Sequence, residues 1–232
     1  MADKKTALIV GAGPGLSASL ARRFSKEGVQ VALAARNAEK LSDICAETGA
    51  KAYGCNAIVP AEMEKLFADV TNDLGQPDIA VYNASNRVRG PITDIAPEAV
   101  LQAITISCYG GFLMAQQAAK QMVPRGAGAI FFTGASAGVK GYPNSTTFAM
   151  GKFGLRGLAQ ALARELHPQN IHIGHFVIDG GISKGADDPR NDRGPDGLLD
   201  PDSIAETYWQ FWQQPRDSWA WEVELRPWGE KF

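Results

Sequence analysis

A glycine-rich turn near the start of the chain has the residue types that hold a phosphate group. An apolar run at residues 8–10 leads into Gly11, Gly13 and Gly15, and an amphipathic segment follows from Leu16. Glycine lets the backbone approach a ligand closely, and the free N–H groups and dipole of a helix start favour negative charge. The pattern predicts a strand, a tight turn and a helix whose first residues bind a nucleotide phosphate.

A basic residue after the second predicted strand bears on which nucleotide is bound. Arg36 directly follows the apolar segment at residues 29–35. A guanidinium at this point can hold the 2′-phosphate of NADP with paired hydrogen bonds, whereas NAD enzymes carry a carboxylate there. Flavin enzymes and methyltransferases share a similar turn, but both usually require an acid after strand two. We expect NADP(H) as the cofactor, with NAD(H) as the alternative.

Strands and helices alternate along the rest of the chain and must position these residues. The predicted strands lie at residues 8–10, 29–35, 50–56, 78–82, 129–133 and 171–178, and the predicted helices at residues 16–24, 38–47, 61–74, 96–122 and 145–166. The alternation predicts an α/β fold, a Rossmann-type doubly wound parallel sheet of about seven strands with helices on both faces. We expect one domain over residues 1–232.

The C-terminal part of the chain differs in composition from the rest. Residues 180–200 are rich in Gly, Pro, Asp and Arg, which predicts a mobile substrate loop. A helix and a last strand are expected within residues 201–226, the strand on the alternation of Trp219, Trp221, Val223 and Leu225. The five tryptophans between residues 209 and 228 are interpreted as core and subunit contact rather than as a stacking platform.

Composition excludes several classes of function. The net charge of −2 over 232 residues gives no basic surface for nucleic acid or anionic membrane. We expect no signal peptide, because few residues precede the first strand, and no membrane span, because no apolar run approaches ~20 residues. The three cysteines have no metal-ligand spacing. We expect a cytoplasmic protein with a small-molecule substrate and without a metal, nucleic-acid or membrane partner.

Three segments resemble the short-chain dehydrogenase/reductase superfamily in type and spacing. Val10, Gly11, Gly15 and Ser17 are similar to its Thr-Gly-xxx-Gly-x-Gly turn, with Val and Ser in place of the first Thr and the last Gly. The Asn-Ala-Ser at residues 83–85 stands where the family has Asn-Ala-Gly, and residues 149–155 resemble its Ala-Ser-Lys-Phe-Gly helix segment. The resemblance covers nearly the whole chain and implies an oxidoreductase that passes hydride between NADP(H) and a small organic substrate.

The resemblance also implies a set of cofactor contacts. Asn56, where the family usually has Asp, is expected to accept a hydrogen bond from the adenine amine. The backbone at residues 179–183 is expected to meet the nicotinamide amide, and Lys152 its ribose. The expected cofactor-binding residues are Gly11, Gly13, Gly15, Leu16, Arg36, Asn56, Asn83, Ala84, Lys152, Asp179, Gly180 and Ile182.

The catalytic positions depart from the family pattern. The family pairs a tyrosine with a lysine four residues later; here Lys152 is present, but Phe148 replaces the tyrosine. Ala135 stands in place of the substrate-polarising serine, and Ser107 in place of the asparagine of the fourth helix. A general acid contributes ~10²–10⁴ in rate. Ordinary carbonyl reduction should therefore be crippled unless another group substitutes.

Several groups are candidate substitutes. They are Tyr142, Ser136, Ser145, Tyr109 and Lys152, the last if burial lowers its pKa. Two hypotheses remain open: an oxidoreductase that acts on a carbonyl or a pre-protonated imine, or a non-catalytic sensor or pseudo-enzyme that binds NADP(H). A purely structural subunit is a third. His175, within an apolar strand, is interpreted as a core histidine.

The resemblance finally implies a homo-oligomer. The family pairs subunits through its fourth and fifth helices, and symmetry makes homodimers and homotetramers the default. Small apolar residues on the corresponding helices are expected to form the contact: Ala115, Ala118, Ala119, Leu158 and Leu162.

Overall fold

Seven parallel strands form the central sheet of the computed structural model, which describes residues 4–229. The strands are β1 Thr6–Val10, β2 Gln30–Ala35, β3 Lys51–Gly54, β4 Ile79–Tyr82, β5 Gly128–Thr133, β6 Ile171–Ile178 and β7 Glu222–Leu225. Their order across the sheet is β3-β2-β1-β4-β5-β6-β7. The direction of winding reverses between β1 and β4, and ligands bind at the carboxyl ends of strands at such a point. The predicted α/β fold and its single Rossmann-type domain are confirmed.

Helices cover both faces of the sheet. They are α1 Leu16–Lys26, α2 Ser42–Thr48, α3 Pro60–Leu74, α4 Pro97–Ile104, α5 Gly110–Arg125, α6 Thr146–Leu166 and α7 Pro201–Trp212. One core lies between the sheet and α3, α5 and α6, and contains Leu8 and Val10 of β1. The other lies between the sheet and α1, α2 and α7, and contains Ala7 and Ile9. Alternate residues of β1 therefore serve opposite cores, as the pleat requires.

The long predicted helix at residues 96–122 contains an interruption. A π-helical turn at Thr105–Tyr109 joins α4 to α5. The Tyr82 hydroxyl donates a hydrogen bond to the carbonyl oxygen of Ile106 at 2.6 Å, while the Gly110 N–H donates to Thr105 instead. A Cβ at Gly110 would lie 2.1 Å from the Tyr82 hydroxyl, so only glycine admits it. The wider turn follows because a side chain takes the carbonyl that an α-helix would use.

By length and composition alone, the helical stretch Pro97–Arg125 is apolar enough to cross a membrane. In this fold, its Leu113, Met114, Ala118 and Met122 are buried in the core beside α3 and α6. A core helix passes the same hydropathy test, and this packing accounts for the apolar face.

The structure corrects two expectations in part: the availability of small apolar residues for subunit pairing, and the start of the last strand. Ala115 and Ala118 are buried within the subunit and are not available for pairing, while Ala119, Leu158 and Leu162 are half-buried against the same core. Trp219 and Trp221 precede the last strand, which is only Glu222–Leu225. The Trp219 ring instead stacks on His172 with a centroid distance of 4.6 Å.

The segment at residues 180–200 folds back on itself. Ile182 forms an isolated bridge with Leu199, and a 3₁₀ turn spans Pro189–Arg193. The Asp188 carboxylate accepts hydrogen bonds from the Lys184 backbone N–H at 2.9 Å and the Arg190 guanidinium at 2.6 Å. The arrangement holds the segment over the carboxyl end of β6, and its mobility stays a prediction.

Candidate functional site

The glycine turn after β1 is shaped by one close backbone contact. Gly11 has a φ of 85°, and a Cβ there would lie 2.4 Å from the Ala84 backbone nitrogen. The N–H groups of Gly11 and Ala12 both donate to the carbonyl of Ala34, at 3.0 and 2.9 Å. The turn is thereby pressed between β2 and the loop after β4. Only glycine combines this backbone conformation with this approach.

The turn leads into α1 with an open N-terminus. Gly15 caps the helix, no side chain of the described residues bonds its first N–H groups, and its first turn carries no acid. Gly13 lines the cavity above the turn, and a Cβ there would meet no heavy atom of residues 4–229 within 4 Å. The Leu16 side chain is buried in the core rather than in the cavity. Neither Gly15 nor Leu16 lines this cavity, and a ligand contact with their backbone N–H groups stays a prediction.

Ser17 replaces the third glycine of the family turn and connects the two halves of the site. The Asn83 side-chain amide donates to the Ser17 hydroxyl at 2.7 Å. That hydroxyl donates in turn to the Gly11 carbonyl at 3.4 Å. Ser17 thus joins the loop after β4 to the glycine turn by hydrogen bonds. In the sequence, it was noted only as a residue that differs from the family pattern.

A cavity of about 860 Å³ lies over the carboxyl ends of β1, β2 and β4. Several predicted cofactor residues line it, namely Gly11, Gly13, Arg36, Asn56, Asn83 and Ala84. Lys40 lines it as well, and no Asp or Glu of residues 4–229 does. The cavity is large enough for a dinucleotide. Its cationic lining beside β2 fits a phosphate at that end of the ligand.

Arg36 and Lys40 are placed by a short 3₁₀ helix, Ala38–Leu41, that follows β2. The Asn37 side chain caps this helix by accepting a hydrogen bond from the Glu39 N–H at 3.0 Å. The cap fixes the turn that brings Lys40 to the same cavity wall as Arg36. Sequence reasoning missed Lys40, and a second basic residue soon after Arg36 was its only signal.

A second cavity, of about 250 Å³, adjoins the first at the carboxyl ends of β5 and β6. Ala135, Ser136, Tyr142, Phe148 and Lys152 line it, together with Gly180 and Ile182. The two cavities share Asn83 and Ser85 in their walls. This arrangement can hold a small molecule beside one end of a dinucleotide.

Lys152 provides a buried ammonium at the wall of the smaller cavity. Its side chain is on α6, and only 3% of the residue is exposed. The Nζ atom donates to the carbonyl of Thr133 at 2.7 Å and lies 5.7 Å from the centre of the Phe148 ring. Burial lowers the pKa of Lys152 to about 8. The lysine can therefore gain or lose a proton near neutral pH.

Comparison with known proteins shows what the chain is similar to. The family model described as short chain dehydrogenase matches residues 5–187. The chain belongs to this family. A short-chain dehydrogenase/reductase of Armillaria gallica is 32% identical over 181 residues, which cover 75% of this chain and 69% of the relative.

Solved structures of short-chain dehydrogenases match nearly the whole chain. One from Rhodopseudomonas palustris has a TM-score of 0.83 and 32% identity, and the match covers 97% of this chain and 99% of that one. An actinorhodin polyketide ketoreductase variant, crystallised with NADPH, has a TM-score of 0.88 and 25% identity over 97% of both chains. Short-chain dehydrogenases bind nicotinamide cofactors, and the glycine turn and the larger cavity are features that such a cofactor requires.

Two candidate groups of this short-chain dehydrogenase lie outside both cavity linings. Ser107 is completely buried; its hydroxyl accepts from the Asn86 N–H at 3.1 Å and donates to the Asn86 carbonyl at 3.3 Å. Tyr109 is exposed and stacks on Phe112 with a centroid distance of 6.2 Å. Ser107 stands in place of the family asparagine but is turned to the loop after β4, and Tyr109, which was expected to line the cleft, lies on the surface.

Ser145 and Asp179 are also used elsewhere. Ser145 is buried at the start of α6, outside both linings. The Asp179 carboxylate accepts from Lys140 at 3.0 Å and pairs with Arg226 at 3.2 Å. The Asp179 side chain is thus turned away from the cavity, and only its backbone adjoins the lining residues Ile178 and Gly180.

His175 is fully buried within β6 of this short-chain dehydrogenase. Its Nδ1 lies 2.9 Å from the Glu222 carboxylate, which also accepts hydrogen bonds from Arg156 at 2.7 and 2.8 Å. Burial lowers the pKa of His175 to about 4. The hydrogen bonds among His175, Glu222 and Arg156 join β7 to β6 and α6.

Among the residues with described positions, no group of three His, Cys, Asp or Glu side chains is arranged to hold a metal ion.

Arg87 is the lining residue that sequence reasoning missed in the smaller cavity. It follows Asn83 by four residues, in the loop after β4. A basic residue in a loop at the carboxyl end of a parallel strand was the available signal.

Proposed function

We propose that this protein is an NADP(H)-dependent oxidoreductase for a small carbonyl or imine substrate, with Lys152 in place of tyrosine as the proton donor. The observation that carries the proposal is the buried Lys152 ammonium beside Phe148 in the smaller cavity. Family membership supports hydride transfer as the reaction type.

The residues of the larger cavity fit an NADP(H) cofactor. The glycine turn brings backbone N–H groups and the N-terminus of α1 to the position of a pyrophosphate. Arg36 and Lys40 would hold the 2′-phosphate, with no competing carboxylate from residues 4–229 in the lining. The similar ketoreductase was crystallised with NADPH. When bound, the nicotinamide supplies or accepts the hydride.

Lys152 is held in a position to manage the proton. Its Nζ carries three hydrogens, one of which bonds the Thr133 carbonyl, so the others are available to a substrate. A carbonyl that gains hydride at carbon needs one proton at oxygen, and the Lys152 ammonium provides it and regains it from solvent. A protonated imine needs no proton from the chain. Tyr142 and Ser136 line the same cavity and would orient the substrate.

Cofactor binding and turnover test the proposal separately. NADPH and NADH are titrated into the protein and their fluorescence is measured, and NADPH oxidation is then followed with panels of aldehydes, ketones and cyclic imines. We expect NADPH to bind more tightly than NADH, with turnover that is lost in Lys152→Ala. A protein that binds neither dinucleotide would refute the proposal.

A non-catalytic sensor of NADP(H) is the second candidate, and the aromatic and methyl side chains of Phe148 and Ala135 favour it. Neither side chain can donate or accept a proton. Tight NADPH binding without turnover on any panel member would establish this alternative and refute the enzymatic proposal.

A homodimer or homotetramer is also part of the proposal. Four large apolar residues are exposed on the π turn, α5 and α6: Tyr109, Phe112, Met150 and Phe153. We assign the subunit contact to them instead of to the smaller residues expected from the sequence. Exposed apolar residues in one region favour subunit contact. Light scattering should give at least twice the subunit mass, and Phe112→Lys combined with Phe153→Lys should reduce it.

We place the protein in the cytoplasm, in keeping with free Cys45, Cys55 and Cys108.

A further inference from the structure

The smaller cavity has an unbalanced set of charges. Arg87 and Lys152 line it, and among residues 4–229 no Asp or Glu side chain does. Lys152 is buried and satisfied in part by the Thr133 carbonyl. Two cations in so small a space favour a ligand that brings negative charge.

Arg87 has no carboxylate partner in the described part of the chain. Among residues 4–229, its side chain makes one hydrogen bond, from Nη2 to the Ser145 hydroxyl at 3.5 Å, and no ion pair within 4.0 Å. Its Cζ lies over the Phe148 ring, 4.9 Å from the centroid. Burial and the neighbouring Arg89 lower the pKa of Arg87, so its charge is not compensated locally.

Three acids, one directly after β6, one in the segment at residues 180–200 and one on β7, pair with other basic residues. Asp179 is held by Lys140 and Arg226, and Asp188 by Arg190. Glu222 is held by Arg156 and His175. None of these carboxylates accepts a hydrogen bond from Arg87, which lines the cavity.

We propose that Arg87 binds the carboxylate of the substrate, so that the enzyme acts on small oxo- or imino-carboxylates; this rests on the proposed function. A guanidinium donates two parallel hydrogen bonds to a carboxylate. Phe148 supports the arginine through a cation–π contact in the position where the family has its tyrosine. The residue that removes the usual acid thus also positions the anion-binding group.

The geometry limits the size of the substrate. Arg87 Cζ and Lys152 Nζ lie 4.9 and 5.7 Å from the centre of the same ring, so one small molecule can reach both. Its carboxylate would contact Arg87, and its carbonyl oxygen or imine nitrogen would lie near Lys152. The cavity of about 250 Å³ has room for a small oxo- or imino-carboxylate between these two groups.

Calorimetry with matched probes tests the inference. Pyruvate, acetoacetate and 4-oxopentanoate are titrated into the protein with and without NADP⁺, each against its neutral amide. We expect at least one carboxylate to bind tenfold or more tightly than its amide. Equal binding within all three pairs, or tighter binding of inorganic phosphate than of any carboxylate, would overturn the assignment.

Variants assign the preference to Arg87. Arg87→Met should bring each carboxylate to within twofold of its amide, and Arg87→Lys should retain part of the preference. Arg89→Met removes the same charge two residues away, outside the cavity lining, and should leave the preference intact. A preference that survives in Arg87→Met would refute the proposal. Should that variant fail to fold, the wild-type pairs and Arg87→Lys decide.

The same titrations separate this inference from the proposed function. A protein that does not bind NADP⁺ fails the proposed function, whatever the probes show. If the protein binds NADP⁺ but binds each carboxylate and its amide with equal affinity, the proposed function stands and the role proposed for Arg87 is refuted.

Discussion

Lys152 donates a hydrogen bond to the carbonyl oxygen of Thr133 at 2.7 Å, from the N-terminal half of α6 to the last residue of β5. The strand end is held from its other side, where the Thr133 hydroxyl lies 2.8 Å from the hydroxyl of Tyr208. The ammonium is thus fixed at the floor of the smaller cavity. This placement is the basis of the proposed proton transfer.

Carbonyl reduction should depend on the protonation of Lys152. Because the protonated form donates and burial lowers the pKa of Lys152 to about 8, the rate should be constant below pH 8 and fall tenfold per unit above it. Lys152→Gln should lose roughly 10²–10⁴ in kcat. Initial rates of NADPH oxidation from pH 6 to 10 measure this, with Lys120→Gln on exposed α5 surface as the control. A rate that stays constant to pH 10 would contradict the assignment.

Restoring the family tyrosine should increase carbonyl reduction. Phe148→Tyr adds one hydroxyl to a ring that already lies 5.7 Å from Lys152 Nζ. We expect kcat for aldehydes and ketones to rise by about tenfold, less than the ~10²–10⁴ of a sole general acid, because Lys152 already donates a proton. Phe153→Tyr, on the exposed face of the same helix, should change nothing. No gain from Phe148→Tyr would show that the pocket lacks more than this hydroxyl.

Cofactor preference should depend on two basic residues beside β2. Arg36→Ala combined with Lys40→Ala removes both cations from the wall of the larger cavity. Hydrogen bonds to charged groups contribute ~1.5–3 kcal/mol, so NADPH affinity should fall about 10- to 100-fold while NADH affinity is retained. Fluorescence titration measures both constants, and Lys65→Ala on α3 is the control. An equal loss for the two dinucleotides would rule out recognition of the 2′-phosphate.

Two glycines of the same turn should respond differently to alanine. In Gly11→Ala, the added Cβ would lie 2.4 Å from the Ala84 nitrogen at a φ of 85°. We expect a loss of roughly 3 kcal/mol or more in unfolding free energy, together with loss of dinucleotide binding. Gly13→Ala meets no atom of residues 4–229 within 4 Å and should remain as stable as the wild type. Urea unfolding of both variants compares them, and equal stability would contradict the close packing at Gly11.

Two buried histidines should make the fold sensitive to acid. Burial lowers the pKa of His172 and of His175 from 6.5 to about 4. Below pH 6.5 the unfolded chain binds protons that the native state excludes, so stability falls as pH decreases toward 4. Each site contributes a slope of up to about 1.4 kcal/mol per pH unit. Urea unfolding between pH 7 and 5 measures the slope, which His172→Phe should reduce by about half. A flat profile would show that neither histidine resists protonation.

The sequence is most informative where a few adjacent residues determine the structure. The glycine turn and Arg36 are local, because a strand end, a turn and a helix start lie within a short span. Lys40 and Arg87 required the structure, since the path of a loop decides which basic side chain reaches a cavity. The surroundings of the Ser107 side chain also required the structure. Its direction depends on a contact between Tyr82 and Gly110, which are distant in sequence.

The Tyr82 hydroxyl sets the rotational phase of a whole helix. One extra residue in the turn at Thr105–Tyr109 rotates everything from Gly110 onward by about 100° relative to an uninterrupted α-helix. A helical wheel drawn through Pro97–Arg125 as one piece would therefore assign the wrong face to one of its halves. Any redesign of the 16 residues of α5 has to count its heptads from Gly110 and not from Pro97.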